Sequence, residues 1–80
     1  MFYCYVLKDP QSDFIYIGYS SDLKERIKQH QGSEHPGWRL VYYEAYLAEK
    51  DARQRERKLK QYGASLGHLK ARIRNSLAGL

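Results

Sequence analysis

Residues 14–30, FIYIGYSSDLKERIKQH, decide the fold. Phe14 to Tyr19 is a run of aromatic and β-branched residues broken only by Gly18, which reads as a strand. Ser20-Ser21-Asp22 then offers three helix N-cap candidates. Beyond them Leu23, Arg26, Ile27 and His30 recur at i, i+3, i+4 and i+7, one stripe of a helix running to about His30 or Gln31. Leu23 and Ile27 must face the sheet, so Arg26 and His30 point towards it or along its rim. An eighty-residue chain has little stability to spare, and ionisable groups on an inward face cost free energy unless they are partnered or used.

Towards the N-terminus, Phe2 to Leu7 reads as a first strand, and Lys8 to Asp13, with Pro10 and two aspartates, as turn chemistry. The pair predicts an antiparallel hairpin. Alternation puts Tyr3, Tyr5 and Leu7 on one face of the first strand, and Phe14, Tyr16 and Gly18 on one face of the second. Pairing Leu7 with Phe14 would set Tyr5 opposite Tyr16. Gly18, lacking a side chain, leaves room on that face for another backbone or a ligand.

Towards the C-terminus, Gln31 to Gly37 reads as a loop and Trp38 to Tyr46 as a third strand. A long helix follows over about Ala48 to Tyr62, with Gly63 placed to end it. Ser65 caps a last helix carrying the stripe Leu66, Leu69, Ile73 and Leu77. The order is β-β-α-β-α-α. It predicts one α+β domain over residues 1–80, a three-stranded antiparallel sheet flanked by helices. On the long helix Ala48, Ala52, Glu56 and Leu59 share a stripe, which places the Glu56 carboxylate inward. A metal ion or a buried arginine, Arg26 among the candidates, would satisfy it.

The formal net charge is +5, with a pI near 9.4. Such a balance favours an anionic partner, of which nucleic acid is the commonest for a small domain. Eight tyrosines against two phenylalanines are more hydroxyls than core filling needs. The single cysteine, Cys4, excludes an internal disulfide and reads as an ordinary strand residue. No apolar stretch approaches a membrane span and no basic leader precedes an apolar run, so the expectation is a cytoplasmic protein without a membrane partner. His35 and His68 have no zinc-ligand spacing with any Cys or His. Trp38, Tyr42, Tyr43 and Tyr46 read as strand packing.

Taken together, Tyr5-Val6-Leu7, Tyr16-Ile17-Gly18, Arg26, His30 and Glu56 resemble the GIY-YIG nuclease superfamily, over Tyr3 to about Lys60. The segments around Tyr16–Leu23, Gly37–Glu44 and Ala52–Lys60 are most similar to small stand-alone bacterial members, themselves similar to the amino-terminal nuclease domain of excinuclease C. Tyr3-Cys4-Tyr5 stands where the name motif has Gly-Ile-Tyr, so only the tyrosine is kept. Asn75, the sole asparagine, lies late in the last helix and is not matched to the family's terminal asparagine.

The resemblance implies structure-directed hydrolysis of DNA phosphodiesters, in repair or processing, with one divalent metal, Mg²⁺ or Mn²⁺. Arg26 would hold phosphate oxygens with its planar fork. Glu56 would give the metal a hard oxygen ligand, water and phosphate completing the shell. Tyr5 and Tyr16 would orient or deprotonate the attacking water, which requires a lowered phenol pKa. His30 would take the proton onward. Tyr19, Lys24, Arg53, Arg57 and Lys60 would meet the DNA backbone, Tyr19 standing where some relatives carry lysine. A footprint this short calls for targeting by a homodimer or a protein partner. The alternatives are a nucleic-acid-binding module that keeps the fold without a productive site, and a scaffold in which the tyrosines only pack.

Overall fold

Phe2–Lys8 (β1) and Ile15–Ser20 (β2) pair antiparallel, joined by a loop that its own side chains hold. Asp9 accepts from the Gln11 amide at 3.0 Å and the Ser12 hydroxyl at 2.8 Å, and the Asp9 amide donates to the Phe14 carbonyl at 3.1 Å. Lys8 Nζ donates to the carbonyls of Asp9 and Ser12. The computed structural model describes residues 1–79. The loop consumes Phe14, which stands 72% exposed outside the strand. The register is therefore two residues from the expected one: Leu7 pairs with Tyr16, and Tyr5 with Gly18. A shift of two preserves the faces, whereas a shift of one would have inverted them.

β1 is the central strand, in the order β2-β1-β3, with β3 at Arg39–Tyr46. A bulge between Val6 and Leu7 puts Val6 opposite Tyr42 and Leu7 opposite Leu40. The helices are α1 (Leu23–Gln29), α2 (Glu49–Gln61), α3 (Gly63–Arg72) and α4 (Arg74–Leu77). The expected α+β architecture holds. Three details differ: α1 passes into a π-helical turn at His30–Glu34, Gly63 begins α3 rather than ending α2, and the last helix divides at Ile73.

Alternation on β1 separates two layers. Cys4 and Val6 join Ile17, Leu59 and Leu69 in the core on the α2–α3 side, with Val41, Leu66 and Ile73 packed around them. On the same face the Glu44 carboxylate accepts hydrogen bonds from Tyr42 (2.6 Å) and Tyr46, and from Arg55 Nε (3.0 Å). The other face carries Tyr3, Tyr5 and Leu7 beneath α1 and the π turn. No residue of α1 itself is buried, whereas His30 of the turn is 0% exposed. α1 half-buries Leu23, Arg26 and Ile27 on this face, and the turn buries the His30 imidazole beside Tyr5, which places the candidate site.

Candidate active site

Tyr5 is 0% exposed on the central strand, and its hydroxyl lies 2.7 Å from His30 Nε2. β1 fixes the phenol from below. Its ring lies over Gly18, where a Cβ would stand 2.5 Å from both Tyr5 Cζ and Oη. The space that Gly18 opens is filled by the protein's own tyrosine. Tyr16, on the edge strand and partly exposed, lies beside the pair: its ring centroid is 6.2 Å from that of Tyr5, tilted to it, and 4.8 Å from that of His30, edge-on.

His30 reaches this position through the end of α1. Asp22 caps the helix, its carboxylate accepting from the Glu25 amide at 3.2 Å. One α-turn later the ladder widens, and the His35 amide donates to the His30 carbonyl at 2.7 Å. That i→i+5 closure brings His30 and His35 over one another, with ring centroids 5.1 Å apart, and His35 stacks in turn on Trp38 at 4.4 Å. Trp38, expected in the third strand, lies just before it and closes this row of rings.

Arg26, one turn before His30, is held by Glu34: Nη1 donates to Oε1 at 2.9 Å and Nη2 to Oε2 at 3.2 Å. Nη1 also donates to Gln29. The paired Glu34 carboxylate raises the guanidinium pKa, and the same bond holds the Glu34 carboxyl below its ordinary range. Burial pushes the Tyr5 phenol up to about 12, with Tyr16 adding to the rise and the Arg26 charge opposing it. Burial and then the Arg26 charge lower the His30 imidazole, against the pull of Glu34. In this arrangement Tyr5 is a neutral phenol and His30 a neutral imidazole able to accept a proton.

The structure thus brings together Tyr5, Tyr16, Arg26 and His30. It sets Glu56 apart. Glu56 lies on α2, whose buried residues Ala52 and Leu59 face the other layer, and it accepts from Lys60 Nζ at 2.9 Å. Among the described residues no hydrogen bond or ion pair joins Glu56 to the tyrosine–histidine cluster, nor to Arg26. The basic candidates divide as well. Lys24 stands on α1 beside Tyr3 and Tyr43. Arg53 stacks on the Tyr19 ring at 4.2 Å, and Glu49 accepts from the Tyr19 hydroxyl at 2.7 Å. Arg57 and Lys60 are exposed on α2.

Glu34 escapes a reading of the sequence, and His35, expected to have no histidine placed to share a metal with it, has one in His30. Glu34 and His35 sit in what reads as a loop, yet with His30 they bring three possible metal-ligating atoms within 4.8 Å of one another. No simple signal marks them, because residues i and i+5 lie about 140° apart on an ordinary α-helix. No helix is long and apolar enough to cross a membrane, among the described residues.

No curated protein and no solved structure matches the chain significantly. A family model of the GIY-YIG catalytic domain matches residues 1–70, and the chain belongs to that family, whose members are endonucleases.

Proposed function

We propose that this protein is a metal-dependent DNA endonuclease of repair or processing, directed by DNA structure and similar to the amino-terminal nuclease domain of excinuclease C. One observation carries the reading: a buried Tyr5–His30 hydrogen bond with Tyr16 and Arg26 beside it, on the sheet face where α1 needs only apolar packing. A scaffold would place Phe and Leu there, without hydroxyl or imidazole to satisfy.

The roles follow from exposure. Tyr16, the partly exposed tyrosine, contacts the attacking water. Tyr5 is the positioning residue that fixes the His30 ring, and His30 takes up the proton. Arg26 turns from Glu34 to hold the scissile phosphate, since a phosphate offers its fork the same paired oxygens. Glu56 fits a Mg²⁺ or Mn²⁺ ion that keeps a shell of water and phosphate oxygens. It is a partly exposed carboxylate whose partner, Lys60, is exposed enough to swing into solvent. When bound, the ion would supply Lewis-acid stabilisation of the leaving oxygen. Lys24, Arg57 and Lys60 contact the backbone of the DNA, and a second copy or a protein partner in the cytoplasm supplies targeting.

The test is cleavage of branched, nicked, single-stranded and duplex DNA by the purified chain with Mg²⁺ or Mn²⁺. Cutting is expected. Arg26→Ala and Glu56→Ala should each lower the rate by about 10²–10³-fold with the fold intact. Undiminished cutting by Glu56→Ala would remove the ion from that residue. The binding-module reading draws on a specific observation, that Glu34 already fills the Arg26 fork. It takes over if DNA is bound but not cut under any divalent ion.

A further inference from the structure

We propose that the π turn is a binding site for one transition-metal ion of the Zn²⁺ class, held by His30 Nδ1, a Glu34 carboxylate oxygen and a ring nitrogen of His35. It is separate from the ion assigned to Glu56 and stands whether or not the chain cuts DNA; when occupied, it takes the His30 lone pair that the proposed cleavage needs, so bound ion and cutting exclude one another. The three donor groups already lie within 4.8 Å of one another. A tetrahedral shell with bonds of about 2.0–2.2 Å needs donor separations of about 3.4 Å. The closure is small, and it falls on Glu34, which is exposed, and His35, which is half-buried.

His30 supplies the independent observation. Its ring is 0% exposed, and Nδ1 is a buried polar atom without a hydrogen-bond partner. Orphaned buried nitrogens are rare in folded proteins. This one is aimed at the cluster, 3.4 Å from Glu34 Oε2. On the other side of the ring Tyr5 Oη sits 2.7 Å from Nε2. With the proton on Nε2 donated to Tyr5 Oη, the Nδ1 lone pair is bare and the ring cannot turn away. Metal-ligating histidines are generally held in this way. Glu34 is held likewise: Oε2 is the oxygen 3.4 Å from Nδ1, and to bind the ion it would give up its 3.2 Å bond from Arg26 Nη2 while Oε1 stays bonded to Nη1.

Two imidazoles and one carboxylate select the metal. Such a set suits Zn²⁺, Co²⁺, Ni²⁺ or Cu²⁺ and is a poor match for Mg²⁺, which demands an octahedron of hard oxygens. The π closure makes the geometry possible, because it sets the i+5 histidine on the same side of the turn as the i and i+4 residues. Three protein ligands leave a fourth position open.

Titration of the chelator-treated full chain with Co²⁺ tests this by visible d–d absorption. One equivalent is expected to give a tetrahedral-type spectrum, which Zn²⁺ displaces and Mg²⁺ does not. Glu34→Ala and His35→Ala should each weaken binding at least about 10-fold. Tyr5→Phe, which removes only the group holding the His30 ring, should weaken it about 10–100-fold. His68→Ala, on α3, should leave it unchanged. Imidazole nitrogen resonances of the unaltered chain give a readout that no variant's folding affects: Zn²⁺ should shift His30 Nδ1 and a His35 nitrogen and leave His68 in place. Absence of the absorption overturns the proposal. So does its persistence in both Glu34→Ala and His35→Ala, or a Zn²⁺ shift confined to His68.

Discussion

A methyl group at Gly18 would stand 2.5 Å from the Tyr5 hydroxyl and 2.8 Å from Tyr16 Cε1. The Tyr5 ring has no room to yield, since it is packed on the central strand and bonded to His30, so the partly exposed Tyr16 must move as well. Gly18→Ala should therefore cost about 1–3 kcal/mol, the usual range for overpacking, and should displace both tyrosines. A urea midpoint equal to that of the unaltered chain would show that the rings are looser than they stand. The sequence marks Gly18 as clearance but not what fills it. That depends on which residue of β1 lies opposite, and the register turns on Asp9 and Ser12 bonds that the hydrophobic pattern does not encode. Glu34 is the other residue that pattern cannot reveal. Its bidentate bond occupies the fork that phosphate would need. Glu34→Ala frees Arg26 and removes one negative charge, so DNA affinity should rise. If Arg26 gains one phosphate contact, the plot of log K against log salt should steepen by about 0.9. An unchanged slope would count against Arg26 as a masked phosphate ligand.

At the scale of elements, α1 is only seven residues long and buries none of them, so its own ends decide whether it forms. The cap is Asp22, which the sequence picks out as one of three candidates and the Asp22–Glu25 bond singles out. Asp22→Ala should destabilise the protein by about 1 kcal/mol. Because α1 carries Arg26 and leads into His30, amide exchange should quicken over residues 23–34 before it quickens in β1. Equal quickening everywhere would mean that α1 opens only with the whole fold. The elements themselves were readable from period and punctuation: two strands, a helix, a strand, then helices. The π turn was not. Its ring of backbone bonds has no amphipathic signature over five residues, and Gly32 and Ser33 read as ordinary loop composition. Tyr5, Tyr16 and Arg26 lie on elements of clear period, and His30 falls one helical turn after Arg26, where that period runs out. The part of the site that was not readable lies where the period changes.

The whole molecule has two layers on one sheet, and the layer away from the candidate site is where acid should act first. There Glu44 is largely buried among Tyr42, Tyr46 and Arg55. Burial pushes its carboxyl up, but the bonds from Tyr42, Tyr46 and Arg55 outweigh it and hold the pKa below the ordinary 4.5. The sign is that of a depressed carboxylate: the contribution to stability is fully present above the unfolded value and is lost as pH falls through the folded one. The urea midpoint should hold from about pH 7 to about pH 5 and then fall steeply below about pH 4.5. Asp9, Glu34 and Glu49 are also lowered, by bonds to Gln11, Arg26 and Tyr19 respectively, and they share that slope at low salt. They lie at the surface, however, where bonds exchanged with water contribute little, and about 0.5 M salt further weakens the Arg26–Glu34 pair. At high salt the remaining acid slope should belong chiefly to Glu44. Glu44→Gln keeps the shape and removes the titration, so it should flatten that slope. It should also lower stability near neutrality by about 1–3 kcal/mol, through the unmatched Arg55 and tyrosine hydroxyls. A Glu44→Gln chain that kept the full high-salt slope would move the acid-sensitive group out of the core layer, leaving the surface carboxylates as its only source.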